Sequence, residues 1–307
     1  GYTTYHQGMH TALVDRLQIE AALLRGLDDH QFELQYQPTV DLASGAVVGF
    51  EALVRWNHPT RGVVLPVEFI QVAEASGFIR PLGEWVLREA CRQAAVWIAG
   101  QNRPLTMSVN VSGRQLDQPA FLEVVEAALT DSGLPPKRLC LEMTESVLLV
   151  DTDEVLALLK ELKKLGIRLA IDDFGTGYSS LSYLHRFPFD ILKIDKSFID
   201  QLTSRHGEAT LVRTIVQLGQ GLGVTTIAEG LERYDQFLVL RRMGCQVGQG
   251  FYFSRPVPPE HAGELLLADH TPNGASPQPD ERCGGVAPVA GDTGSVLPVI
   301  DPRWGGR

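Results

Sequence analysis

The sequence predicts a single α/β barrel of the (β/α)8 type, and three observations predict it. Strand-like and helical segments alternate from about residue 30 to residue 266, as they do where parallel strands are joined by crossover helices. Eight short apolar runs can be read as strands, near residues 33–39, 46–53, 105–112, 138–142, 168–173, 190–194, 224–228 and 246–252. Nearly every run ends in an acid, an amide or a lysine. In a barrel the C-terminal ends of all strands converge on one face, so these side chains would share a pocket. A doubly wound open sheet shows the same alternation and is the competing architecture, although the GxGxxG fingerprint of dinucleotide binding is absent.

The elements follow in order. Residues 1–29 read as an N-terminal connector, with a helix over Thr11–Asp29 that sets Leu13, Leu17, Ala21, Leu24 and Leu27 on one side. The strand Phe32–Val40 then opens the barrel, which spans residues 30–266. Within it, Asp151-Thr-Asp-Glu154 resembles a capping box. Val155, Leu158, Leu159, Leu162 and Leu165 form the apolar stripe of the helix that follows, Gly166 ends it, and Arg168–Ile171 begins a strand. The next unit repeats this logic, with a stripe of Leu211, Ile215, Leu218 and Leu222, a stop at Gly223 and a strand over Val224–Ala228. From residue 267 to 307 the chain is rich in Pro, Gly, Ala and Asp without periodicity. Such a segment buries too little surface to offset the entropy of ordering and is expected to be a disordered tail.

Composition narrows the function. Hydrophobic residues at 44% and charged residues at 21% are those of a soluble globular protein, and no apolar run approaches the ~20 residues of a membrane span. Cys91, Cys140, Cys245 and Cys283 are scattered, so neither a disulfide framework nor a zinc site is expected, and a reducing cytoplasm fits. A net charge of −10 argues against a nucleic-acid polymer or an anionic membrane as partner. A small phosphorylated ligand held through metal ions remains compatible with it. The chain begins at Gly1, so further sequence, including any membrane anchor, is expected upstream.

The strand ends carry the chemistry. The runs close on Glu51, Asn110, Glu142, the pair Asp172 and Asp173, Lys193 with Asp195, Glu229 and Gln249. One charge after an apolar run is ordinarily a solvated strand terminus, but seven such ends meeting on one face are not. Carboxylates with an Asn and a Gln form a hard, oxygen-rich set suited to Mg2+ or Mn2+ rather than zinc. Adjacent Asp172 and Asp173 would point to opposite faces of a regular strand, so a shared site requires the strand to end there, with the following glycines permitting the bend.

These residues fall in blocks that resemble EAL domains: Tyr36-Gln-Pro38, Glu51-Ala-Leu-Val-Arg-Trp56, Ser108-Val-Asn-Val-Ser112, Glu142-Met-Thr-Glu145, Asp172-Asp-Phe-Gly-Thr-Gly-Tyr-Ser-Ser-Leu181, Leu192-Lys-Ile-Asp195, Ala228-Glu-Gly230 and Gln249-Gly-Phe-Tyr-Phe-Ser-Arg-Pro256. The resemblance runs in register over about residues 30–262. It implies a modified barrel whose first strand is antiparallel, and a phosphodiesterase that hydrolyses cyclic di-GMP to 5′-pGpG with two divalent cations, Mg2+ or Mn2+. It further implies that Glu51, Asn110, Glu142 and Asp172 bind one metal, that Asp173 holds the second, and that Lys193, Glu229 and Gln249 complete the site. Gln37 and Arg55 would face the substrate, Glu145 would anchor the loop after Asp173, and Glu232 is either a supporting acid or simply outward-facing. Gln71 and Gln246 depart from the family pattern at positions that are not ligands.

Two other functions are weighed against this one. Some EAL domains bind cyclic di-GMP without cleaving it, usually after losing a ligand or the loop motif, and this chain keeps both. A barrel lyase using Lys193 as a Schiff base needs a desolvated lysine of lowered pKa, whereas carboxylates around Lys193 would hold it charged. The connector resembles the segment that follows a GGDEF cyclase domain, so such a domain is expected upstream, and a homodimer is expected from the resemblance.

Overall fold

The computed structural model describes residues 19–101, 104–149, 153–177, 186–202 and 206–267, without the side chains of 101, 148, 149, 206–208 and 267. The expected tail, the first part of the connector and the capping position Asp151 lie outside these residues. Among the described residues nine strands form one sheet: β1 (Phe32–Asp41), β2 (Val47–His58), β3 (Gly62–Val64), β4 (Thr106–Asn110), β5 (Leu139–Thr144), β6 (Arg168–Phe174), β7 (Ile191–Ile194), β8 (Thr225–Ala228) and β9 (Val247–Gln249). Their order is β1-β9-β8-β7-β6-β5-β4-β2-β3, and β1 also pairs with β2. That last pairing closes the barrel and excludes the open doubly wound sheet. The short β3, which the sequence reading did not separate, extends β2 as a hairpin outside the barrel.

One strand runs against the rest for a simple reason. Only residues 42–46 separate β1 from β2, too few for the crossover that a parallel pair needs, so the two form an antiparallel hairpin. Asp41 stabilises the turn by accepting from the Ser44 amide at 2.7 Å and the Ser44 hydroxyl at 2.6 Å. β1 is also antiparallel to β9, while β2, β4, β5, β6, β7, β8 and β9 pair parallel in succession.

Helices cover the outside of the sheet. Residues 19–26 are helical, with Ile19 and Leu23 buried. The helix Asp153–Leu165 buries Val155, Leu156, Leu159 and Leu162, close to the stripe its sequence predicts. In the helix His206–Leu222 the inward face is turned by about one residue from expectation. Val212, Ile215 and Val216 are buried, whereas Leu211 is 42% exposed. Gly219 explains the turn, since a Cβ there would lie 2.4 Å from the Thr226 methyl. The helix rests on β8 through that glycine, and the glycine selects the face. Among the described residues no helix is long and apolar enough to cross a membrane.

Candidate active site at the mouth of the barrel

A small apolar layer fills the barrel interior, formed by Cys140, Ala170, Ile191, Ile227 and Val247. Side chains alternate across a strand, so the residue two positions on faces the same way. Two positions on from that layer are Glu142, Asp172, Lys193, Glu229 and Gln249. The polar cluster is therefore the next layer of the barrel interior, at the C-terminal ends of the strands. Lateral register adds the other members: Gln37 stands opposite Glu51, and Asn110 pairs with Glu142. Gln37, Glu51, Glu142, Asp172, Lys193 and Gln249 are all buried.

The paired acids share the site by a device other than the expected one. Strand β6 does not end before Asp173 but continues to Phe174, and its register with β7 breaks between Ile171 and Phe174. Asp173 takes φ +54, one of two described non-glycine residues with positive φ. That bulge re-aims successive side chains, so the bend sits on Asp173 itself rather than on the glycines after it. A non-glycine residue in the left-handed region stores strain of the kind found at functional sites. The Asp173 amide donates to Asp172 Oδ1 at 3.0 Å. Beyond the bulge, Glu145 Oε2 accepts from the amides of Gly175 at 2.9 Å and Gly177 at 3.3 Å. Glu145 thus ties down the start of the segment after Asp173.

Lys193 is the hub. Its Nζ lies 2.5 Å from Glu142, 2.6 Å from Glu229, 3.2 Å from Asp172 and 3.5 Å from Glu51, with the side chain 1% exposed. Burial would push a lone lysine down, but the surrounding carboxylates outweigh it and hold Lys193 well above its ordinary value. Burial likewise works to raise Glu51, yet Lys193 and donors from Gln249 and Asn110, each 2.6 Å away, bring that carboxylate below its ordinary value. Burial, with the charges of Glu51 and Asp172, pushes Glu142 up to about 8 against the pull of Lys193. Burial and the neighbouring Asp172 and Asp195 raise Asp173 to about 6, and burial raises Glu229 well above the usual carboxylate range.

This donor set fits divalent cations. Glu51, Glu142, Asp172, Asp173 and Glu229 gather round one ammonium, a surplus of negative charge that is costly in a buried site unless cations offset it. Among the described residues, Asp172, Asp173 and Glu229 bring carboxylate oxygens within 4.8 Å of one another. Gln249 donates to Glu51 and Gln37, while its Oε1 is buried without a partner among the described residues, as suits an oxygen that serves a cation or an ordered water.

The remaining sequence candidates lie around this cluster. Gln37 links Gln249 to the Ser254 carbonyl, at 3.0 and 3.1 Å. Arg55 is half-buried further along β2, where it donates to Gln35 and the Val54 carbonyl. Gln246 accepts from the Thr226 amide, a structural role. Glu232 lies at the exposed rim of the cleft and pairs with Lys196. Sequence reasoning passed over Lys196 and Phe251, which line the cleft above the carboxylates. The signal for Lys196 was its place directly after a strand-end acid, Asp195, which caps the next short helix.

Comparison with known proteins gives a consistent picture. The family model described as the EAL domain matches residues 20–256. The bifunctional diguanylate cyclase/cyclic di-GMP phosphodiesterase MucR of Pseudomonas aeruginosa is 41% identical over 260 residues, covering 85% of this chain and 38% of that protein. The cyclic di-GMP phosphodiesterase NbdA of the same organism is 44% identical over 253 residues, covering 82% of this chain and 32% of that protein. A solved structure, the PaMucR phosphodiesterase in complex with c-di-GMP, matches with a TM-score of 0.77 at 42% identity, over 80% of this chain and 99% of that one. The chain spans about a third of the length of the curated relatives it matches.

Proposed function

The chain belongs to the EAL domain family, and from that premise we propose that it is a metal-dependent phosphodiesterase that hydrolyses cyclic di-GMP to linear 5′-pGpG. The observation that carries this reading is the unbroken oxygen layer around Lys193, in which no candidate ligand position has been replaced. Glu51, Asn110, Glu142 and Asp172 would hold one cation, and Asp173, with Glu229 and Gln249, would serve the second. When bound, two Mg2+ or Mn2+ ions neutralise an anionic phosphodiester and the charge that develops as it is attacked.

The chain's own residues supply the rest. Hydrolysis joins a water oxygen to phosphorus, breaks the bond from phosphorus to a ribose 3′ oxygen, and moves one proton from the water to that oxygen. Lys193 is held as an ammonium, so it donates hydrogen bonds and stabilises negative charge but accepts no proton. Glu229, which lines the cleft 2.6 Å from Lys193 Nζ, would take the water's proton. Gln37, Leu53 and Phe251 shape the cleft over the cluster, and Arg55 lies on the strand above Glu51 to meet a phosphate. The relative described as a bifunctional diguanylate cyclase/phosphodiesterase supports a GGDEF cyclase domain upstream in the full-length protein; cytoplasmic action and a homodimer are part of the same proposal and rest on the family resemblance alone.

The test is incubation of the purified chain with cyclic di-GMP and Mg2+ or Mn2+, with products separated by chromatography and EDTA as control. Conversion to pGpG that EDTA abolishes is the expected result. Tight binding without turnover under either metal would make the domain a receptor instead.

A further inference from the structure

We propose that Lys196 is a substrate-binding residue that holds the phosphodiester which is not cleaved, a role that rests on the cyclic dinucleotide reading above. The cleft over the carboxylate cluster, about 230 Å3, is walled by Glu51, Glu229 and Glu232, and Lys196 carries the only positive charge among its described lining residues. A cyclic dinucleotide carries two phosphodiester anions. One must sit at the carboxylate cluster, where the chemistry is, so the other lies elsewhere along a wall whose other charged lining residues are acidic, with Arg255 stacked on the Phe251 ring at 4.3 Å. A cation fixed at that wall removes the repulsion.

Three contacts fix Lys196 there. Its Nζ meets Glu232 Oε1 at 2.5 Å. It lies 6.0 Å from the centroid of the Phe251 ring, at the outer edge of a cation–π contact. Its stem runs against Gly230, where φ is +66 and a Cβ would come within 2.3 Å of the Lys196 side chain. Gly230 directly follows Glu229, so its missing side chain gives the lysine its path beside the site. An ammonium has three donors, so the hydrogen bond to Glu232 leaves others for a ligand. The side chain remains 47% exposed. Glu232 acts in this arrangement as a positioning residue.

The experiment compares the full chain with its Lys196→Met and Lys196→Arg variants, by calorimetric binding of cyclic di-GMP and by steady-state turnover. Met is expected to weaken binding about tenfold, as the loss of one hydrogen bond to a charged group does. The loss should appear in KM while kcat stays within about twofold, because a remote contact binds ground and transition states alike. Arg should restore most of the affinity. Equal affinity for wild type and Met, or a loss confined to kcat, overturns the role of Lys196 and leaves the substrate reading intact. A wild-type chain that binds no cyclic di-GMP overturns the substrate reading itself.

Discussion

At the scale of single residues the account stands on oxygen atoms and what they meet. Asp172 touches Lys193 and accepts from the Asp173 amide. Asp172→Asn removes a charge but little volume, and is expected to lower both Mn2+ affinity and turnover by at least about 100-fold, above the usual cost of losing an outer-shell partner. Calorimetry and product chromatography read the two effects separately. The Glu145 amide donates to the Asp172 carbonyl at 3.1 Å, and its side chain receives two glycine amides. Glu145→Ala is expected to cost about 10–100-fold in turnover with the melting temperature little changed, and Glu145→Gln, which still offers an oxygen, to recover part of it. Most of the cluster was legible in the sequence, because Glu51, Asn110, Glu142, Asp172 and Glu229 each close an apolar run. The backbone of Asp173 was not. Nothing in a pair of adjacent aspartates says which one adopts a positive φ, since a bulge is decided by pairing between strands.

At the scale of elements, close approach of backbones is what places the ligands. Gly49 lies between β1 and β4, and a Cβ there would sit 2.5 Å from the Thr106 carbonyl oxygen and 3.0 Å from Thr39 Oγ1. Two residues on from Gly49 is Glu51, and β4 carries Asn110. Gly49→Ala is expected to cost about 1–3 kcal/mol by overpacking, seen as a fall of several degrees in melting temperature. Turnover should fall more steeply than stability, since Glu51 and Asn110 move apart. The helix over His206–Leu222 teaches the same lesson in reverse. Its sequence offers two stripes, one through Leu211 and one through Val212 and Val216, and helical periodicity alone does not choose between them. The contact of Gly219 with Thr226 chooses, and that contact is made with the strand that follows rather than within the helix.

At the scale of the whole molecule the architecture followed from the alternation of elements, whereas the antiparallel start came from the family resemblance alone, and the structure traces it to the five residues that join β1 to β2. The count of eight barrel strands was legible, whereas β3 was not, because three residues are too short a run to carry a period. The composition of residues 268–307 leads to another whole-molecule prediction: deleting them should leave the melting temperature and metal-dependent turnover unchanged, as calorimetric scanning and the product assay would report. The central claim is that the oxygen layer at the barrel mouth directs water onto a phosphodiester of cyclic di-GMP. The most direct measurement is mass spectrometry of the products formed in 18O-labelled water with Mn2+. The account predicts pGpG bearing one 18O on its 5′ phosphate, absent from the Asp172→Asn variant. Cyclic di-GMP recovered intact and unlabelled from a saturated wild-type chain would contradict it.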